Sequence, residues 1–321
     1  MIDLQTRRRL TQGAFFIVFI LAPVFDVFRL DLNLGHFIIL GQDWTLGLDG
    51  LLEHRISPAE AMMNIFLRGF VPIISVIGIV IFVAFKYGRL YCGWLCPHFS
   101  VVETLNQVMT RAIGKHSLWD REPLPAQDKG AERRTRHLAW LLAFFPLALT
   151  FAFLWATALL TYLLPPMEIY GNLRHGALTP NQGLFLTIGT LVFFLEFTLA
   201  RHLFCRFGCA AGLFQSIAWM ANRKALVVSF ERQLAAACQS CSNACDNACP
   251  MRLKPRTIKR HMFACTQCAS CVSACNLAQA DNPHGSLLHW HSGENALDKS
   301  DRAKSRSRDP GQGAIPVAEM R

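Results

Sequence analysis

The sequence predicts a mainly α protein: a four-transmembrane-helix bundle built from two hairpin repeats, joined to a small cysteine-rich domain on the cytoplasmic side. Three observations predict it. Of 321 residues, 52% are apolar and only 17% charged, with mean hydropathy +0.27, whereas soluble domains carry about a quarter charged residues. The apolar residues gather into four long runs, and about 20 helical residues suffice to cross a hydrocarbon core of about 30 Å. Eight of the twelve cysteines fall between Cys238 and Cys275 at short repeating intervals. The net charge of +10 would read as a nucleic-acid footprint in a soluble chain. Here it follows the loops, so it reads as topology, with the lipid bilayer and no nucleic acid as partner.

The first run covers residues 10–30, uncharged from Gly13 to Phe25 and interrupted by Pro23 and Asp26. The others cover residues 64–85, without charge after Arg68, residues 138–164, and residues 183–200, in which Glu196 is the one charge. Short cytoplasmic loops retain Lys and Arg. Arg7, Arg8 and Arg9 precede the first run, and Arg111, Lys115, Arg121, Lys129, Arg133, Arg134 and Arg136 lie in the loop after the second. The two external loops have only Arg55 and Arg174, so both termini and the cysteine-rich domain face the cytoplasm. No small-residue cleavage site follows the Arg triplet, and the first helix is expected to be retained, with Asp26 and Arg29 paired on it. The glycines at 35, 41, 47 and 50 mark a small hairpin or re-entrant lip.

An internal repeat links the halves of the membrane part. Arg89-Leu90-Tyr91-Cys92-Gly93-Trp94-Leu95-Cys96-Pro97 follows the second run, and Arg201-His202-Leu203-Phe204-Cys205-Arg206-Phe207-Gly208-Cys209 follows the fourth. Each is an aromatic-C-x3-C element at the inner end of a helix, followed by an amphipathic stretch. Cysteines at i and i+4 share a helix face, so Cys92 with Cys96 and Cys205 with Cys209 form two thiol pairs suited to a soft metal. Spacing alone leaves open a metal ion, a third cluster, a thiol relay or buried structural cysteines. The division read from these patterns is a membrane domain at 1–222, a cluster domain at 223–291 and a disordered polar tail at 292–321.

The strongest motif is Cys238-x2-Cys241-x3-Cys245-x3-Cys249-Pro250 followed by Cys265-x2-Cys268-x2-Cys271-x3-Cys275. Three closely spaced thiolates wrap one cubane cluster, and the distal cysteine of each motif serves the other cluster. That crossing assigns Cys238, Cys241, Cys245 and Cys275 to one 4Fe–4S cluster, and Cys265, Cys268, Cys271 and Cys249 to a second. Paired zinc sites are the alternative, but zinc knuckles separate two C-x2-C pairs by a dozen or more residues. The basic residues Arg252, Lys254, Arg256, Lys259, Arg260 and His261 between the motifs suit anionic lipid or an acidic redox partner protein. His98, His202, His284, His289 and His291 are read as ordinary interfacial or packing histidines.

With these elements, residues 10–290 resemble the polytopic membrane polyferredoxins, the family of NapH, the C-terminal half of NosR and the membrane part of CcoG. In size and layout the chain is most similar to the NapH type. Ala210 departs from the proline that many relatives carry after the second element. The resemblance implies a ferredoxin-like domain in a bacterial inner membrane protein that passes electrons between the quinol pool, or a respiratory partner, and two cytoplasmic clusters. It implies as an alternative a maturation factor whose C-x3-C thiols bind and reduce a metal such as copper. No phosphate-cradling loop, nucleophile elbow or pair of catalytic acids is present.

Overall fold

The computed structural model describes residues 3–48, 51, 54–239, 241–256 and 263–293. Lys259, Arg260, His261 and the tail from residue 294 lie outside the described residues. In chain order come α1 (Leu4–Leu21), β1 (Phe28–Asp31), β2 (His36–Ile39), β3 (Gln42–Trp44) and α2 (Pro58–Tyr87). The short α3 (Leu90–Trp94), α4 (Pro97–Ile113), α5 (Ala139–Thr161), α6 (Pro166–His175) and α7 (Pro180–Ala200) follow. After a wide π turn at Phe204–Gly208 come α8 (Ala210–Ala221), β4 (Leu226–Phe230), α9 (Ala244–Asn247), α10 (Ser270–Ala278) and β5 (Leu288–Ser292).

Among the described residues three helices, α2, α5 and α7, are long and apolar enough to cross a bilayer. This is a membrane protein. Two of the three start where their sequence says they should. Ser57 caps α2 and Thr179 caps α7, each in a reciprocal capping box with a proline behind it, which satisfies the first free N–H groups. The first apolar run behaves differently. Its helix ends at Leu21, because Pro23 has no N–H to give and disfavours helix at Ala22. Asp26 then turns left-handed at φ 51°. From Leu10 to Leu21 the apolar part of α1 is only about 18 Å long, and residues 28–31 are strand.

The chain packs as two units: Gly13–Phe82 with Phe145–Ala200, and Met1–Gln12 with Val83–Phe144 and Arg201–Arg321. In the first, β1, β2 and β3 form an antiparallel meander. Leu40 and Gly41, both at positive φ, make the tight turn between β2 and β3. Arg29 pairs with Asp26 at 2.5 Å and with Asp31 at 2.6 Å, in the turn and strand beyond α1 and not on the helix itself. The N–H groups of Leu30 and Leu32 donate to the carbonyls of Tyr162 and Leu163, just past α5. Ala156, Leu160, Ile169 and Leu186 form the core of this unit. Gly189 approaches Ala156 so closely that an added Cβ would sit at 3.3 Å, the small-residue packing that membrane helices use.

The second unit does not respect the boundary at 222/223. Residues 83–144 and 201–222, with both C-x3-C elements, pack together with the cysteine-rich stretch. Strands β4 and β5 pair antiparallel, and their Val227, Val228 and Leu288 join Leu287 and Trp219 in a core that includes Cys245, Cys271 and Cys275. In this unit the thiols are part of the packing.

Candidate metal centres

The late motif builds its thiol groups from short helices and left-handed turns. Helix α10 carries Cys271 and Cys275 one turn apart, and α9 carries Cys245 just ahead of Cys249. Between cysteines the chain turns sharply: Asn243, Gln267 and Ala269 all adopt φ 57°, uncommon for residues other than glycine and concentrated at functional sites. Such turns aim backbone N–H groups at sulfur. Leu253 donates to Cys249 Sγ and Leu287 to Cys275 Sγ, both at 3.4 Å, and Gln267 donates to Cys265. A cavity bounded by Pro250, Met251, Leu253 and Pro255 is lined by four cysteines: Cys249, Cys265, Cys268 and Cys271. The other four group separately, with Cys275 bearing on both Cys238 and Cys245, and Cys241 on Cys238. The two groups adjoin through Cys271 and Cys245.

The two C-x3-C elements adopt matching local structure. Cys92 lies in α3 and Cys205 in the π turn, while Cys96 and Cys209 each stand at the N-cap of the following helix, α4 or α8. Cys209 Sγ accepts from Gly212 N at 3.4 Å. Cys209 bears on both Cys92 and Cys96, and Cys205 belongs to one apolar cluster with Cys96, Cys249 and Cys265. That cluster links the second thiol set to the cavity group. Gly93 carries the contact: a Cβ there would lie 2.2 Å from the Thr266 carbonyl oxygen, so backbone meets backbone. Trp94 Nε1 donates to the Gln267 carbonyl at 3.0 Å, and Trp290 Nε1 donates to its side chain at 3.2 Å.

Residues near the N-terminus complete the framework, which the motif pattern did not signal. Arg8, fully buried, donates to the Gly93 carbonyl and pairs with Glu103. Gln12 donates to the same carbonyl at 3.1 Å, and Gln5 to that of Cys268 at 3.2 Å. His202 is buried, and burial pushes it down to about 4, so it stays neutral; His98 packs on Phe204. His289 and His291 lie side by side on β5, and His284 is in an exposed turn.

All twelve cysteines are free of disulfides. Burial pushes Cys249 and Cys265 up to about 12 and Cys96 up to about 11. It also raises Cys245, where the Asp246 charge adds to the effect. Cys249, Cys265 and Cys271, three thiols of one cavity, resist ionisation, which is unfavourable for thiolate alone, and a cationic core among them reverses the balance. The donors are all sulfur, and backbone N–H groups point at them, which is the environment that holds iron–sulfur clusters. Among the described residues, no three His, Cys, Asp or Glu side chains gather at the spacing of a single metal ion. The donor set fits a cluster.

Comparison with known proteins agrees. A family described as a 4Fe-4S binding domain matches residues 68–116, the stretch that contains Cys92 and Cys96. The putative electron transport protein YccM of Escherichia coli is 24% identical over 72% of this chain and 62% of its own length. The methylamine utilization ferredoxin-type protein MauN of Methylorubrum extorquens is 28% identical over 75% of this chain and 73% of its own. This chain resembles iron–sulfur electron-transport proteins of the ferredoxin type. An uncharacterized protein of Methanocaldococcus jannaschii, MJ0750, shares 24% identity with this chain over 63% of it and 75% of the relative. No solved structure matches it significantly.

Proposed function

We propose that this protein carries single electrons along a row of thiolate-held centres at the cytoplasmic face of a bacterial inner membrane, between the quinol pool or a respiratory partner and a cytoplasmic redox protein. The observation that carries the reading is the cavity lined by Cys249, Cys265, Cys268 and Cys271. Those four hold one 4Fe–4S cluster, and Cys238, Cys241, Cys245 and Cys275 hold another. Cys92, Cys96, Cys205 and Cys209 form a third thiolate site, nearest the membrane helices in the chain. When bound, such clusters accept and release one electron at a time. The protein's residues do the rest. They exclude water from the inner thiols, direct N–H groups at sulfur, and keep successive sites in contact through Gly93 and Cys271, which shortens each transfer step.

Topology supports the location. Met1–Gln12, Val83–Phe144 and Arg201–Arg321 cluster as one unit, which supports an even number of crossings, with α2, α5 and α7 supplying three and α1 the fourth. The matching N-caps of Cys96 and Cys209 support two hairpin repeats. The basic loops support a cytoplasmic position for the shared unit.

Iron and sulfide analysis with paramagnetic resonance on anaerobically purified full-length protein tests the reading. About twelve irons per chain are expected if the C-x3-C thiols hold a cluster, and about eight if they hold none. A preparation free of iron and of reducible paramagnetic centres overturns the whole proposal.

A further inference from the structure

Arg89 is a cation buried at 1% exposure with no carboxylate beside it among the described residues. Its Nη2 donates to the Cys205 carbonyl at 2.8 Å, and its buried Nε meets no acceptor. Its charge bears on Cys92 and on Cys265. The pocket is cut to its shape: a Cβ on Gly212 would lie 2.4 Å from Nη2. Leaving a guanidinium unpaired in a protein interior is costly, so its counter-charge has to come from the groups it faces, and those are thiol sulfurs.

Two other arginines of the thiol region, Arg8 and Arg256, differ, and the fully buried Arg201 donates to the Asn106 side chain and lies over the Phe144 ring. Arg8 bears on Cys268 but is neutralised by Glu103. Arg256 bears on Cys238 and Cys245 but is held by Asp246 at 2.7 Å. Arg89 alone of these three brings uncompensated positive charge. It stands between the C-x3-C thiols and the cavity group.

We propose that Arg89 is the shared counter-charge of two thiolate centres, the one at Cys92, Cys96, Cys205 and Cys209 and the one at Cys249, Cys265, Cys268 and Cys271, and that it raises the reduction potential of both. A centre gains one negative charge on reduction, and a fixed cation nearby in a poorly screened interior favours that state. The centre at Cys238, Cys241, Cys245 and Cys275, whose neighbouring arginine is paired, receives no such help. Arg89 is thus a positioning residue for charge. The inference rests on the iron–sulfur reading above.

The test is a paramagnetic-resonance redox titration of full-length, anaerobically prepared protein carrying Arg89→Gln or Arg89→Lys, with iron counted in each. Arg89→Gln is expected to shift the reduction equilibrium of both centres that Arg89 faces at least tenfold toward the oxidised form, about 59 mV for one electron. The centre at Cys238, Cys241, Cys245 and Cys275 should stay in place, and Arg89→Lys should stay near the unmodified protein. If the Gln variant loses iron while the Lys variant keeps it, the counter-charge is equally supported. A fully loaded Gln variant with unmoved potentials overturns the proposal, as does an equal shift of every centre or a Lys variant that shifts as far as Gln. Loss of iron from both variants also overturns it, since the fork on the Cys205 carbonyl would then be what matters. Unmodified protein without iron would instead refute the parent reading.

Discussion

Gly93 shows how much one missing methyl group decides. The first C-x3-C element reaches the cysteine loop only because its second residue has no side chain, and the atom that a Cβ would strike is a backbone oxygen 2.2 Å away. A backbone cannot rotate aside as a long side chain can, so Gly93→Ala must separate the two segments. The expected cost is about 1–3 kcal/mol, seen as a lowered melting temperature together with faster loss of iron from the cavity centre. An unchanged melting curve and iron content would show that the contact is dispensable. Cysteine spacing marks the candidate donors in the chain alone, because ligands must recur at short intervals. The residues that hold those donors together were not, since Gly93, Arg8 and Gln12 meet across 81 to 85 positions and no local pattern records it. Arg8 was read for its sign, as a marker of topology, and its packing was invisible.

At the level of elements, the capping boxes at Ser57 and Thr179 were written openly as Ser-Pro-Ala-Glu and Thr-Pro-Asn-Gln, and α2 and α7 start there. The first apolar run misled, because hydropathy counts residues 22–30 as membrane whereas Pro23 and the left-handed Asp26 turn them into a hairpin lead. The stretch after α4 also acquires a role that composition did not suggest. His116 Nε2 donates to the Asn247 carbonyl at 2.7 Å, with Thr110 on its other nitrogen at 3.0 Å, and so fastens this stretch to α9. Burial is the chief cause holding His116 below its ordinary value of 6.5, against the pull of the Asn247 carbonyl. The folded state therefore stays neutral while the unfolded chain takes up a proton near pH 6.5. Stability should be level above that pH and fall below it, by at most 1.36 kcal/mol per pH unit for one such proton. His202, also lowered, adds in the same direction. Melting curves from pH 7.5 down to 5.5 check this, with His116→Gln expected to lose about half of the slope that the two histidines produce. An identical slope in the variant would remove His116 from the account.

For the whole molecule, the proposed even number of crossings makes a prediction that needs no structure to test. A fluorescent reporter that matures only in the cytoplasm should be active when fused after Arg321, and a phosphatase that needs the periplasm should be silent there. The opposite pair of results would reverse the protein in the membrane and separate the clusters from any cytoplasmic acceptor. One more consequence follows from the bond between Gln5 and the Cys268 carbonyl, partners separated by 263 positions. Gln5 leaves the ribosome long before the loop it fastens to. The three long apolar helices are translated between the two, so this latch closes only after they have been made, and a bulky group ahead of residue 5 would hinder its closing.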